Sequence, residues 1–197
     1  MIRYTFALLL LVALAVVVQQ FIPSLTGLYG SRLFLVALVF LCAAVTVPVP
    51  VMLLLAFVCG FLTDAQNVIG PHGGDAEVYT HPVEHLRFGY SIVLYGIMGY
   101  LMHGIQPLFQ QGRWQFSAML SGIAVFLYLM SEYFLINFIR GDFVVNPTVQ
   151  LRIACSSALT MVFSPLVFWL LFRLADWSGY RIKLEGIKKP KPKTLTA

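Results

Sequence analysis

The residues best suited to chemistry lie in the segment His81, Pro82, Val83, Glu84, His85. This segment fits the H-x-x-E-H pattern of a zinc peptidase family, which needs both histidines on one helical face and an acidic third ligand downstream. Pro82 works against that geometry, because a proline is best accommodated at the first helical position and leaves His81 at the cap. We therefore expect a helix start here, with Glu84 in the first turn, and neither a catalytic metal nor a cofactor. His81 and His85 remain weak metal candidates.

The acidic residue Glu132 lies inside a long apolar stretch, where a carboxylate must be paired, protonated or beside water. At helical spacing it shares a face with small or polar residues, so that face should contact protein rather than lipid. One interpretation is a proton or substrate site, and the other, which we favour, is an interhelical hydrogen bond. The face consists of Ser117, Ser121, Ala124, Tyr128 and Glu132.

A second carboxylate, Asp64, ends an apolar run in which Ala56, Gly60 and Asp64 recur every four residues. Small residues at that spacing permit close helix packing. An anion at the carboxyl end of a helix is disfavoured by the macrodipole, so Asp64 should have a cationic partner. The candidates on the same side are Arg87, Arg32 and Arg140.

The stretch that follows Phe88 is rich in glycine, with Gly89, Gly96 and Gly99 near one side of a predicted helix. We expect these glycines to mark close packing, either within the bundle or against a partner helix.

Composition places these residues in a membrane protein. The 197-residue chain is 59% hydrophobic and 11% charged, whereas a soluble domain averages about 25% charged residues. The three cysteines lie in apolar segments without metal or redox spacing. No H-E-x-x-H, G-x-S-x-G or phosphate-binding glycine loop is present, and we expect no enzymatic activity.

The run from Leu33 to Thr63 contains 31 uncharged residues. As one straight helix it would be about 46 Å long, well beyond a hydrocarbon core of about 30 Å. Pro48 and Pro50 should break it into a hairpin. Each arm is short for a span, so either local thinning of the bilayer or burial of an arm among other helices is expected.

The whole chain is predicted to be an all-α bundle of six transmembrane helices in residues 1–178, followed by a basic tail in residues 179–197. If both termini are cytoplasmic, nine basic residues lie inside and four outside, in the positive-inside sense. The tail carries six of the nine, and it should attract anionic lipid or an acidic partner. The predicted spans are Thr5 to Ile22, Leu33 to Val47, Val51 to Thr63, Phe88 to Ile105, Gln115 to Phe138 and Leu151 to Ala175.

Several of these segments resemble the MreD family of bacterial rod shape-determining proteins. The shared features are GFLTDA at Gly60 to Ala65, the glycine-rich FGYSIVLYGIMGYL at Phe88 to Leu101, Pro23 with Arg32 before the second helix, and FSPLVFWLLFRL at Phe163 to Leu174. The chain departs from the family where Leu33 and Phe34 follow Arg32 without the usual acid, and in its longer loop from Ala65 to Arg87.

The resemblance implies a non-catalytic scaffold of the cell-elongation complex in the bacterial inner membrane. Its implied partners are an MreC-like bitopic protein, a RodA-like polymerase with its transpeptidase and, indirectly, an MreB-like filament, with no nucleic acid. The alternative is the substrate-binding subunit of an energy-coupling vitamin transporter, in which Asp64, Glu132 and the loop from Ala65 to Arg87 would bind the ligand.

Overall fold

Six α-helices account for nearly all of the chain that the computed structural model describes, which is residues 2–23, 30–68, 88–109, 114–140 and 147–180. No β-strand occurs in these ranges. Six helices were predicted and six are found, with ends that differ by two to five residues at most positions. The helices are α1 Ile2–Phe21, α2 Leu35–Thr46, α3 Val49–Val68, α4 Tyr90–Phe109, α5 Trp114–Arg140 and α6 Pro147–Trp177.

The apolar run from Leu33 is broken at Val47 and Pro48, as the prolines predict. Val47 is extended, with φ −114° and ψ 158°, because the ring of Pro48 disfavours helical geometry in the residue before it. Pro50 does not contribute to the break. It lies in the first turn of α3, where a missing backbone N–H leaves no helical bond unmade.

Helix α3 is longer than predicted at both ends, since it begins at Val49 and continues to Val68. Asp64 therefore lies a full turn before the end of its helix and not at the end itself. The macrodipole argument for a cationic partner loses force, because the effect is confined to the terminal turn.

Helix α2 occupies the centre of the bundle. It contacts each of the other five helices, which surround it in the order α1, α3, α4, α5, α6, with α6 returning to α1. All eleven residues from Val36 to Thr46 are buried, none more than 6% exposed. A helix that is apolar on every face belongs in such an interior, and of the two outcomes expected for a short arm, burial is the one observed.

The amino end of α2 is capped by a side chain from α1. Phe34 precedes the helix and provides no side-chain cap. Instead, the Val36 backbone N–H donates to Gln19 Oε1 at 3.0 Å. An unpaired amide in an apolar interior is costly, so this distant glutamine replaces a local cap.

The carboxyl end of α2 is covered by Tyr4 of α1 and by Tyr180, which follows α6. The Thr46 hydroxyl donates to the Ala43 carbonyl at 2.8 Å and is 3.0 Å from the Tyr4 hydroxyl. The Tyr4 ring stacks on Tyr180, with ring centres 4.5 Å apart. Tyr180 follows a Schellman turn at the end of α6, in which Gly179 has φ +65° and the Tyr180 N–H bonds the Ala175 carbonyl. The start of α1 and the end of α6 therefore lie at the same end of the bundle.

Within the part of the chain that the structure describes, four helices are long and apolar enough to cross a membrane, as expected of a helical membrane protein. Their outward faces are apolar, with Phe6 70%, Val162 74% and Trp169 66% exposed. Helix α2, at 12 residues, is about 18 Å long and too short to cross alone. The four candidate spans are Ile2–Phe21, Val49–Gln66, Ala118–Ile139 and Pro147–Trp177.

Replacing Gln19 should destabilise the bundle selectively. In Gln19→Leu the buried Val36 amide loses its acceptor, and we expect a loss of about 1–3 kcal/mol in the free energy of unfolding. Gln20→Leu is the matched control, because Gln20 is exposed on the same helix. Thermal unfolding of the purified protein in mild detergent measures the difference, and equal melting temperatures for the two variants would contradict the capping role.

Candidate functional site

Asp64 ties the end of α3 to the start of α4. Its side chain is buried, at 1% exposed, and Oδ2 accepts a hydrogen bond of 2.7 Å from the Gly89 backbone N–H. Gly89 has φ +100°, a conformation that residues with a Cβ rarely adopt. Glycine is thus required here for backbone geometry. A Cβ added to Gly89 would meet nothing within 4 Å, so contact with a partner helix stays a prediction.

The predicted arginine partner of Asp64 is not found among the described residues, where Oδ1 has no hydrogen-bond partner. Arg32 is exposed, and its backbone N–H donates to Ser156 Oγ on α6 at 3.2 Å. Arg87 and the side chain of Arg140 lie outside the described residues. Among the described residues, the hydrogen-bond partner of the Asp64 carboxylate is therefore the Gly89 backbone amide.

Glu132, on α5, lies within electrostatic range of Asp64. Two tyrosines adjoin the pair, with the rings of Tyr95 and Tyr128 5.0 Å apart. The Tyr95 hydroxyl is 3.4 Å from that of Thr63, which donates to the Cys59 carbonyl. The fold thus brings near each other two carboxylates that lie far apart in the sequence. Together with the hydroxyl groups of Thr63, Tyr95 and Tyr128, they form a polar layer between α3, α4 and α5.

This polar layer is suited to hydrogen bonding between helices. Within the described residues, no group of three or more His, Cys, Asp or Glu side chains could hold a metal ion. The weak metal candidates, His81 and His85, lie outside the described residues. Carboxylate and hydroxyl groups in an apolar surrounding bind strongly to donors, so the layer can fix helix positions or receive a donor from another molecule.

The predicted polar face of α5 continues into the bundle through Ser121, which is fully buried. Its hydroxyl donates to the Ala118 carbonyl at 2.8 Å and lies 2.6 Å from Ser164 Oγ on α6. The side chain of Ser117 is outside the described residues. Glu132 is half-buried on this face.

Helix α6 carries a matching polar stripe that the sequence analysis missed. Its buried residues include Ser156, Thr160 and Ser164, spaced four apart, and Ser164 also contacts the Cys42 thiol on α2. The sequence does contain the pattern that would have predicted this stripe. Small hydroxyl residues recur every four positions in an apolar helix, which is typical of close helix packing.

Two of the predicted glycine positions are true close approaches. A Cβ on Gly60 would overlap Ile92 Cα and lie 2.6 Å from the Ile92 backbone nitrogen, so α3 and α4 are in backbone contact there. A Cβ on Gly99 would lie 2.8 Å from Phe40 Cζ on α2. Ala56, one turn before Gly60, is buried at 2% exposed.

Gly96 is placed differently, because a Cβ added to it would meet nothing within 4 Å. It lies on the outward side of α4 with Ile97 and Tyr100, which are 53% and 68% exposed. Among the described residues nothing packs against this position, and contact with a partner helix stays a prediction.

Comparison of the chain with protein-family models, with curated proteins and with solved structures finds no match.

Alanine at Gly60 should be far more damaging than alanine at Gly96. The Gly60→Ala methyl group must displace the backbone of α4, and overpacking of this kind costs about 1–3 kcal/mol. Gly96→Ala adds a methyl group in open space and should leave stability unchanged or slightly higher, because alanine is the better helix former. Thermal unfolding of the two variants measures the contrast, and similar losses for both would refute the α3–α4 backbone contact.

Proposed function

We propose that this chain is a non-catalytic membrane scaffold of the bacterial cell-elongation complex. It would contribute to cell shape and peptidoglycan synthesis through helix contacts with an MreC-like bitopic protein and a RodA-like polymerase with its transpeptidase. An MreB-like filament would be engaged indirectly. The proposal rests on the MreD-like segments around Gly60 and Phe88 together with the packing of the bundle.

The observation that carries the proposal is that α2 fills the axis of the bundle. A subunit that binds a vitamin-sized ligand needs a pocket of several hundred Å³ lined by a few polar groups. Here the axis is occupied by eleven buried residues of one helix. A crevice between α4 and α5 is lined by apolar side chains, among them Met98, Leu101 and Leu127. A bundle whose axis is filled by α2, with an apolar crevice between α4 and α5, is better suited to binding other helices than to enclosing a polar ligand.

The outward surface of α4 is the most suitable place for such a contact. Gly96 lies there with open space around it, flanked by exposed apolar side chains including Val93 at 61%. Glycine on a lipid-facing surface allows a second helix to approach closely, and van der Waals packing at small residues is a main source of helix association in bilayers.

We further propose that all six helices cross the inner (cytoplasmic) membrane, with both termini in the cytoplasm. The stacking of Tyr4 on Tyr180 supports termini on one side. The basic residues of the tail favour the cytoplasm for that side. Helix α2, too short to cross alone, would then form the protein-enclosed middle of its crossing, with the other five helices in contact with lipid.

Affinity purification of the tagged full-length protein from native membranes tests the scaffold. We expect the MreC-like protein and the RodA-like polymerase with its transpeptidase to be recovered. Recovery of transport ATPases without these proteins would instead support the transporter alternative and overturn the proposal.

Removal of Lys188 to Ala197 should leave membrane insertion intact.

The same purification with Asp64→Ala should recover several-fold less of the complex. Loss of the acceptor leaves the Gly89 amide unsatisfied, at a cost of about 1–3 kcal/mol, and loosens the α3–α4 junction. Asp176→Ala is the control, because Asp176 is exposed near the other end of the bundle. Equal yields from the two variants, at equal membrane levels, would count against a role for the Asp64 junction in assembly.

A further inference from the structure

Two exposed arginines lie near the start of α2. Arg32 and Arg152 are both exposed. The Arg32 backbone N–H donates to Ser156 Oγ at 3.2 Å, and Ser156 lies four residues after Arg152 on α6, one turn along the same face. The two side chains therefore leave the protein within about two helical turns of each other, close enough for both guanidinium groups to reach one anion.

Neither arginine forms an ion pair with a carboxylate of the described residues. Two cations so near each other, with no carboxylate partner among the described residues, repel, and an anion between them removes that repulsion. The planar donor fork of arginine matches the oxygens of a phosphate group in particular. The pair is thus a site of positive charge that favours a phosphate-bearing ligand.

The position of Arg152 along α6 places it at the depth of lipid headgroups. Trp177, at the other end of the helix, is 84% exposed and suits a membrane interface. From Trp177 to Arg152 the helix rises about 38 Å, at about 1.5 Å per residue. That exceeds the hydrocarbon core of about 30 Å but falls within the total bilayer thickness of about 40–45 Å.

An apolar surface begins about 16 Å from Arg152 along α6. Phe163 is three helical turns further along α6 on the same side, and it is 39% exposed, while the neighbouring Leu166 is 61% exposed. If the arginines hold the phosphate of a lipid, the acyl chains of that lipid would extend along α6 and contact Phe163 and Leu166. The combination of cationic head site and apolar strip fits a phospholipid better than a soluble anion.

We propose that Arg32 and Arg152 together bind the phosphate group of an anionic phospholipid in the leaflet at the amino end of α2. This site is independent of the proposed scaffold function, because it requires only that the bundle lies in a bilayer. Binding of the lipid would also hold the segment before α2 against α6, where the Arg32 backbone bonds to Ser156.

The test is titration of phosphatidylglycerol into the purified full-length protein, with bound lipid counted by native mass spectrometry. Each arginine near a charged surface contributes about fivefold in affinity, so the double variant Arg32→Gln, Arg152→Gln should bind about 25-fold more weakly. The matched control is Arg3→Gln, Arg173→Gln, which removes the same charge from exposed positions at the other end of the bundle. It should stay within about twofold of the unmodified protein.

Several outcomes would overturn the site. Unchanged binding by the Arg32, Arg152 double variant would do so, as would an equal loss in the control pair, which would indicate diffuse charge attraction. Displacement of the lipid by millimolar inorganic phosphate would assign the site to a free anion. If loss of the two arginines removes a co-purifying acidic protein and leaves lipid binding intact, the patch binds protein. Should the double variant fail to fold, Arg152→Gln alone must still weaken binding about fivefold.

Discussion

The enclosure of a helix too short to cross a bilayer is the constraint on which the rest of this structure depends. Helix α2 has 12 residues, and its side chains are buried on every face, so it has neither lipid nor water to satisfy its ends. Backbone groups at a buried helix end are costly unless other parts of the protein bond to them. Gln19 accepts a hydrogen bond from the Val36 amide in the first turn. The Thr46 hydroxyl, which contacts Tyr4, donates to the Ala43 carbonyl in the last turn.

This constraint explains why side chains of α1 form hydrogen bonds at both ends of α2. Tyr4 and Gln19 are separated by 15 residues of α1, about 22 Å, which spans α2 from its carboxyl end to its amino end. Helix α6 reinforces the same two ends through Tyr180, stacked on Tyr4, and through Ser156, which receives the Arg32 amide. The hydrophobic effect does not act between helices within lipid, so such directed contacts and close packing have to hold the bundle together.

The short central helix also explains where the polar groups gather. Asp64 lies 15 residues into α3, about 22 Å from its start, beyond the length of about 18 Å that α2 covers. Asp64 and Glu132 thus lie past the end of the apolar axis, together with the Gly89 amide and the hydroxyl of Thr63. Burial of a carboxylate is tolerable there because the site offers hydrogen-bond donors, whereas the apolar residues around α2 offer none.

The sequence predicted the elements better than their contacts. Six helices and the break before Pro48 follow from apolar length and proline chemistry, and the close approach at Gly60 follows from small residues at four-residue spacing. The cap from Gln19, the proximity of Asp64 to Glu132 and the pairing of Ser121 with Ser164 join residues 17, 68 and 43 positions apart. No local pattern specifies such pairs. The backbone role of Gly89 was not predicted, because its positive φ is visible only in the backbone.

Hydrophobic photolabelling in a bilayer tests the enclosure of α2 most directly. A diazirine reagent dissolved in the lipid of a reconstituted sample modifies side chains that face acyl chains, and mass spectrometry locates the products. Enclosure predicts dense labelling at exposed positions of α1 and α6, such as Leu10 and Val162, with no labelling between Val36 and Thr46 until the protein is unfolded. Labelling of α2 at the density of α1 in the folded protein would contradict the account.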